Sequence, residues 1–191
     1  MNPMNLRLKS LLARFRRDTE GSYSVETILL LPMLAWAILA MYSYFDGLRL
    51  ANVNVKAAHT ISDILSRETE PVNDDFIDGT ERLFAFLVNR SYEKSVRISV
   101  FRFDGPNDAF DLIWSESRGN IAAYPEASAA PAAARLPITA NGDTVIVVET
   151  WMNYRSAFVM GLTDTVLYNF LVTSPRFAPQ LMWEEPDAPS S

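Results

Sequence analysis

The chain has no cysteine and a single histidine, His59. Without thiols there is no disulfide frame, no thiolate metal site and no cysteine nucleophile. One imidazole excludes any centre that needs two. No glycine-rich phosphate loop, HExxH or GxSxG occurs along the 191 residues. Asp74, Asp75 and Asp78, and the pair Asp104 and Asp108, are the acidic groupings closest to a calcium site. Neither has EF-hand spacing, and helix capping and turn formation account for them. Nothing adjacent to His59 supports a one-histidine triad, so no catalytic residue, cofactor or metal is expected. Positive charge is also scarce, with 17 Lys and Arg against 23 Asp and Glu. It is concentrated at the start: residues 1–21 carry a net +3 and the remainder −9. A body of that sign repels nucleic acid, which is not an expected partner.

What the chain does have is a long apolar run. Residues 27–45, TILLLPMLAWAILAMYSYF, contain no formal charge. As a helix they extend about 28 Å at ~1.5 Å per residue, close to the ~30 Å hydrocarbon thickness of a bilayer. Ile28, Leu29, Leu30, Leu31, Leu34, Ile38, Leu39 and Phe45 together contribute about 2–5 kcal/mol to insertion. Pro32 removes a donor and predicts a kink one turn into the run. Tyr42 and Tyr44 fall where aromatic belts form, and the basic residues 7–17 place the N-terminus in the cytoplasm. A core helix of a soluble domain would be shorter and amphipathic. A cleaved signal peptide would need Ala35-Trp36-Ala37 as its site, yet apolar residues follow it where a polar stretch belongs.

Glu26 stands at the mouth of this run. A carboxylate there is costly toward the bilayer centre, by as much as ~2.5–3.5 kcal/mol, and less near the interface. Two readings account for it: a position among the headgroups favoured by the helix macrodipole, or pairing with a positive group that sets the register between packed helices.

The segment RFRRDTEG followed by SVETILLLP resembles the processing site of type IV prepilins, and the spacing of Phe15, Gly21, Glu26 and Pro32 is similar to the N-terminal signature of the TadE-like family of tight adherence (Tad) pilus assembly proteins. Thr27 departs from the pattern, since Tad prepilins commonly carry an aromatic residue there. The stretches NVKAAHTISDILSRE (54–68), VVETWMNY (147–154) and SPRFAP (174–179) look like segments of the same family. The resemblance implies cleavage by a prepilin peptidase between Gly21 and Ser22, with the new Ser22 amino group as the partner of Glu26. It also implies a minor pilin or pseudopilin of the inner membrane, single-pass, with a periplasmic C-terminal domain. Its partners would be other pilins or pseudopilins and the Tad secretion machinery.

Beyond the run, Leu50, Val53, Ala57, Ile61, Ile64 and Leu65 recur at helical spacing. One helix is therefore expected from about Ser22 to Arg67, with Gly47 as its joint and His59 beside the stripe. Glu70-Pro71 ends it, and Asn73-Asp74-Asp75 caps a second helix carrying Phe76, Ile77, Leu83, Phe84, Leu87 and Val88. Residues 96–103 alternate as a strand, 104–108 form a turn, and 110–115 complete a hairpin. Residues 119–137, rich in alanine and proline, read as a surface loop. Residues 144–154 are the strongest strand, buried and central. Residues 158–161 are a short excursion, 165–172 a strand or helix, and the end after Trp183 an extended tail. Glu149, within the buried strand, needs a partner if it points inward, and Arg176 is the candidate.

The expected fold is thus α+β: a long N-terminal transmembrane helix continuing into a pilin-like domain with a second helix and a small antiparallel sheet. Its divisions are a basic cytoplasmic leader (1–21), a transmembrane helix (22–46), an amphipathic continuation (47–70), a periplasmic domain (71–182) and a flexible tail (183–191). The competing function class is a signal-anchored periplasmic binding or enzymatic domain unrelated to pili.

Overall fold

The computed structural model describes residues 20–88, 92–125, 130–156, 158 and 164–184. The fold is α+β. Helix α1 spans Glu20–Arg67 and α2 Asp74–Val88; strands β1 (Lys94–Asp104) and β2 (Ala109–Arg118) precede a one-turn helix α3 (Ala130–Ala133), and β3 (Thr144–Tyr154) and β4 (Thr165–Thr173) complete the order. Cα packing divides the chain into two units, Met1–Phe45 with Ala157–Leu162, and Asp46–Ser156 with Thr163–Ser191.

In the first unit α1 continues through Pro32 without interruption, so the expected kink does not end the helix. Its large apolar side chains are uncovered: Ile28, Leu29 and Met33 are about 70% exposed, and Leu34, Ile38, Met41 and Phe45 about 60%. Among the described residues one helix is long and apolar enough to cross a membrane. The Ser43 hydroxyl is buried and donates to the Leu39 carbonyl at 3.0 Å, which satisfies a polar group inside an apolar stretch.

In the second unit α1 continues past Gly47, where no break occurs. The stripe it buries is Leu50, Asn54, Ala57, Ala58, Ile61, Ser62, Leu65 and Ser66. The expected stripe is thus rotated: Ile64 is 40% exposed, while Asn54 and Ala58 turn inward. Helix α2 starts where its cap predicts, with the Phe76 amide donating to Asn73 Oδ1 at 3.1 Å. Ile77, Thr80, Phe84 and Val88 form its buried face.

The sheet has the order β2-β1-β3-β4, antiparallel throughout. Both segments left shorter or undecided by pattern are full strands: β2 extends to Arg118, and β4 is a strand rather than a helix. A register shift at Val100/Phe101 leaves Ile113 without a Cα partner, a bulge in β2. Strand β3 is buried on both faces from Thr144 to Thr150, as its run of Val and Ile requires.

The two faces are covered differently. Arg118 lies opposite Val96 and bonds Asp74 and Asp78 of α2, which puts that helix on the face of Val96, Ile98 and Val100. The opposite face, with Phe101, Val145 and Val147, packs against Ala132 and Leu136. The connection after β2, expected as a surface loop, therefore supplies Ala132 and Leu136 to the core on this face. The chain after β4 is extended but docked: the Arg176 amide donates to Ser66 O, Leu181 is buried, and Trp183 bridges Val72. Trp183 and Glu184, expected at the start of a flexible tail, are tied to Val72 and Asn73.

Candidate functional site

Two features carry chemistry beyond packing. The first is the N-terminal turn region of α1. Gly21 and Ser22 lie within the helix, and Glu26 follows one turn later with an exposed side chain. No hydrogen bond or ion pair joins Glu26 to another described residue, so nothing among the described residues offsets the cost of carrying its carboxylate into lipid. The expected leader begins outside the described residues, and α1 already includes Glu20.

The second is a buried ionic cluster on the sheet face away from α2. Strand register sets Arg97 directly opposite Glu149, and Glu149 opposite Phe170. The carboxylate is almost fully enclosed, its side chain 2% exposed against 11% for Arg97. Arg97 closes on Glu149 Oε2 through Nε at 2.8 Å and Nη2 at 2.7 Å. The Tyr168 hydroxyl donates to Oε1 at 2.7 Å and accepts from Arg135 Nη1 at 2.7 Å. Arg97 Nη1 reaches the Ala122 carbonyl at 3.0 Å.

Aromatic rings enclose both guanidinium groups. Arg97 lies 3.5 Å from the Tyr124 ring centre and 5.0 Å from that of Trp151, and Arg135 lies 3.7 Å from that of Phe170. The negative faces of the rings attract positive charge at these distances and stabilise it. Burial, then the hydrogen bond to Glu149, pushes the Tyr168 hydroxyl up to about 12. Burial and the Glu149 charge likewise raise Tyr124. Every Glu149 oxygen has a donor, so the cluster is a satisfied network that ties Ala122, Tyr124 and Arg135 to the sheet, and it presents no free nucleophile or base.

Glu149 thus has its inward partner, but it is Arg97. Arg176 instead pairs with Asp63 at 3.3 Å, because the segment after β4 runs to the end of α1. Sequence reasoning missed Arg97, Tyr124, Arg135 and Tyr168, for which the only available signal was an acid inside an apolar strand. His59 is exposed on α1. Asp74 and Asp78 serve Arg118, and Asp104 accepts from Asn107. Among the described residues no group of three or more His, Cys, Asp and Glu could hold a metal ion. An apolar recess between α1 and α2 is lined by Ile61, Ile64, Phe76, Gly79, Thr80 and Leu83.

No protein-family model, curated protein or solved structure matches this chain.

Proposed function

We propose that this chain is a membrane-anchored minor pilin or pseudopilin of the TadE-like type, which takes part in assembling a Tad-type type IV pilus. The observation that supports it best is the division of α1. Its first half exposes large apolar side chains, one stripe of its second half is buried in an α+β domain, and a carboxylate with no partner among the described residues stands where the apolar half begins. A signal that serves only for export has no need of Glu26. Helices that pack side by side in lipid do, because a positive group on a neighbour offsets its charge only in one axial register.

In this reading a prepilin peptidase cuts between Gly21 and Ser22 on the cytoplasmic side, and the helix remains as the anchor in the inner membrane. The domain lies in the periplasm, and its partners are other pilins or pseudopilins and the Tad secretion machinery. The role is structural and uses no catalytic residue.

Mass spectrometry of the membrane-extracted protein tests the processing step. A mature N-terminus at Ser22, lost in Gly21→Ala or in cells without prepilin peptidase, is the expected result. An intact N-terminus removes the processing step. Co-purification with Tad components, lost in Glu26→Ala, tests assembly separately; its absence from the wild type leaves a signal-anchored periplasmic domain.

A further inference from the structure

The β3–β4 connection has an apolar sequence and one described, partly exposed aromatic side chain, Phe158, that the sheet core does not explain. Residues 157–162 read AFVMGL, within a stretch of eight uncharged residues between Arg155 and Asp164. A connection between two antiparallel strands is ordinarily polar, since it runs through water. Phe158 has its ring against Tyr42 of α1, with centres 6.1 Å apart and planes at 71°, an edge-to-face arrangement. It is nonetheless 39% exposed. By packing, Phe158 belongs with the apolar part of the chain and not with the sheet.

The position of Tyr42 gives this contact its meaning. Tyr42, Tyr44 and Phe45 close the uncharged run 27–45 and are 57%, 47% and 66% exposed; Asp46 and Arg49 follow. Aromatic residues at the end of an apolar helix mark the depth of the headgroup–acyl boundary. A ring in contact with Tyr42 lies at that same depth.

We propose that Phe158, between β3 and β4, makes a second membrane contact, entering the headgroup–acyl boundary of the outer leaflet beside the outer end of α1. The partner is the apolar part of the lipid interface. Charge plays no part in selecting it, because the flanking groups Asp46, Arg49, Arg155 and Asp164 balance. Phe158 removes apolar area from water as the side chains of interfacial segments do. The inference rests on the reading of 27–45 as a membrane span and is independent of pilus assembly.

The absence of cysteine allows single labels in the full chain. Phe158→Cys, Leu34→Cys and Asp75→Cys each carry a nitroxide in protein reconstituted into phosphatidylcholine vesicles, with and without phosphatidylglycerol. Collision with oxygen, which concentrates in lipid, is compared with collision with a water-soluble nickel chelate. The expected oxygen-to-nickel ratio at 158 is severalfold above that at 75, nearer to that at 34, and the same in both lipid compositions. A ratio at 158 equal to that at 75, with 34 in lipid, overturns the inference and leaves the anchor intact. A ratio that rises only with phosphatidylglycerol overturns the apolar assignment. A water-exposed label at 34 overturns the anchor and this inference together.

Discussion

Removing Arg97 should destabilise the second unit more than any other single loss of charge. Arg97→Met keeps the stem and deletes the guanidinium, which leaves the Glu149 carboxylate, 2% exposed, with neutral phenol donors such as Tyr168 and no positive charge on Oε2. Breaking a buried pair from one side costs about 3–5 kcal/mol, because the remaining charge cannot reach water. At about 2–4 °C per kcal/mol for a chain of this size, the unfolding midpoint should fall by roughly 10 °C. The double variant Arg97→Met/Glu149→Leu removes the stranded charge too. Ala122 is exposed, so water can replace its lost donor, and Tyr168 keeps Arg135. The double variant should therefore recover most of the loss, with a coupling of about 2 kcal/mol or more. Arg67→Met is the control, since its partner Asp63 is 44% exposed and such surface pairs contribute about 0–1 kcal/mol. Thermal unfolding of the full chain in detergent, followed by near-ultraviolet circular dichroism, measures the wild type, both single variants of the pair, the double variant and the control. Additive effects of Arg97→Met and Glu149→Leu would refute the reasoning, as would an Arg97→Met no weaker than Arg67→Met.

Three further outcomes are expected. Tyr168, pushed up to about 12, and Tyr124, also raised, should stay protonated in the folded protein while exposed tyrosines ionise. Because the raised value belongs to the folded state, this contribution is complete below the ordinary value of 10.0 and is lost as pH rises from there through about 12. Ultraviolet titration should detect the late phenols, and Glu149→Gln should bring Tyr168 down; an unchanged curve would assign the shift to burial alone. Gly119→Ala should cost more than Gly142→Ala. Both glycines have positive φ, 93° and 86°, but an added Cβ at Gly119 meets Lys94 O and Ser95, whereas at Gly142 it meets nothing within 4 Å. Gly142→Ala should therefore cost only about 1–2 kcal/mol of backbone strain, and equal losses in chemical denaturation would contradict the steric distinction. Gly79→Ala, in the middle of α2 with open space around it, should stabilise by up to about 1 kcal/mol through helix propensity, read as a higher midpoint.

The parts of the fold visible in the sequence are those whose pattern is local. The cap at Asn73, the turn at 104–108 and the whole of β3 depend on residues within a few positions, and the structure has them at or near the expected places. The failures share a different cause. Residues 119–137 contain the alanines and prolines of a loop, yet Ala132 and Leu136 are buried because the sheet has a second apolar face to cover. The stretch after Thr173 lacks periodicity, yet Leu181 and Trp183 dock because Trp114 offers a ring at 5.4 Å from Trp183 and an indole nitrogen 2.9 Å from the Leu181 carbonyl. Long-range demand of this kind leaves no periodic trace in the segment that meets it.

The ionic cluster lies between these cases. Glu149 announced a partner, but choosing between Arg97 and Arg176 required the register of β1 against β3. That register has a local origin: Phe103 exchanges backbone bonds with Asp143 and Gly142, and Asn141 Oδ1 accepts from the Gly105 amide at 2.8 Å. With these two turns locked together, Arg102 faces Thr144, and counting five residues along each strand brings Arg97 to Glu149. A shift by one residue would turn Glu149 away from Arg97 and strand two charges in an apolar interior. The pair therefore selects the register as much as the turns do, which is why its loss from one side should be felt across the whole sheet.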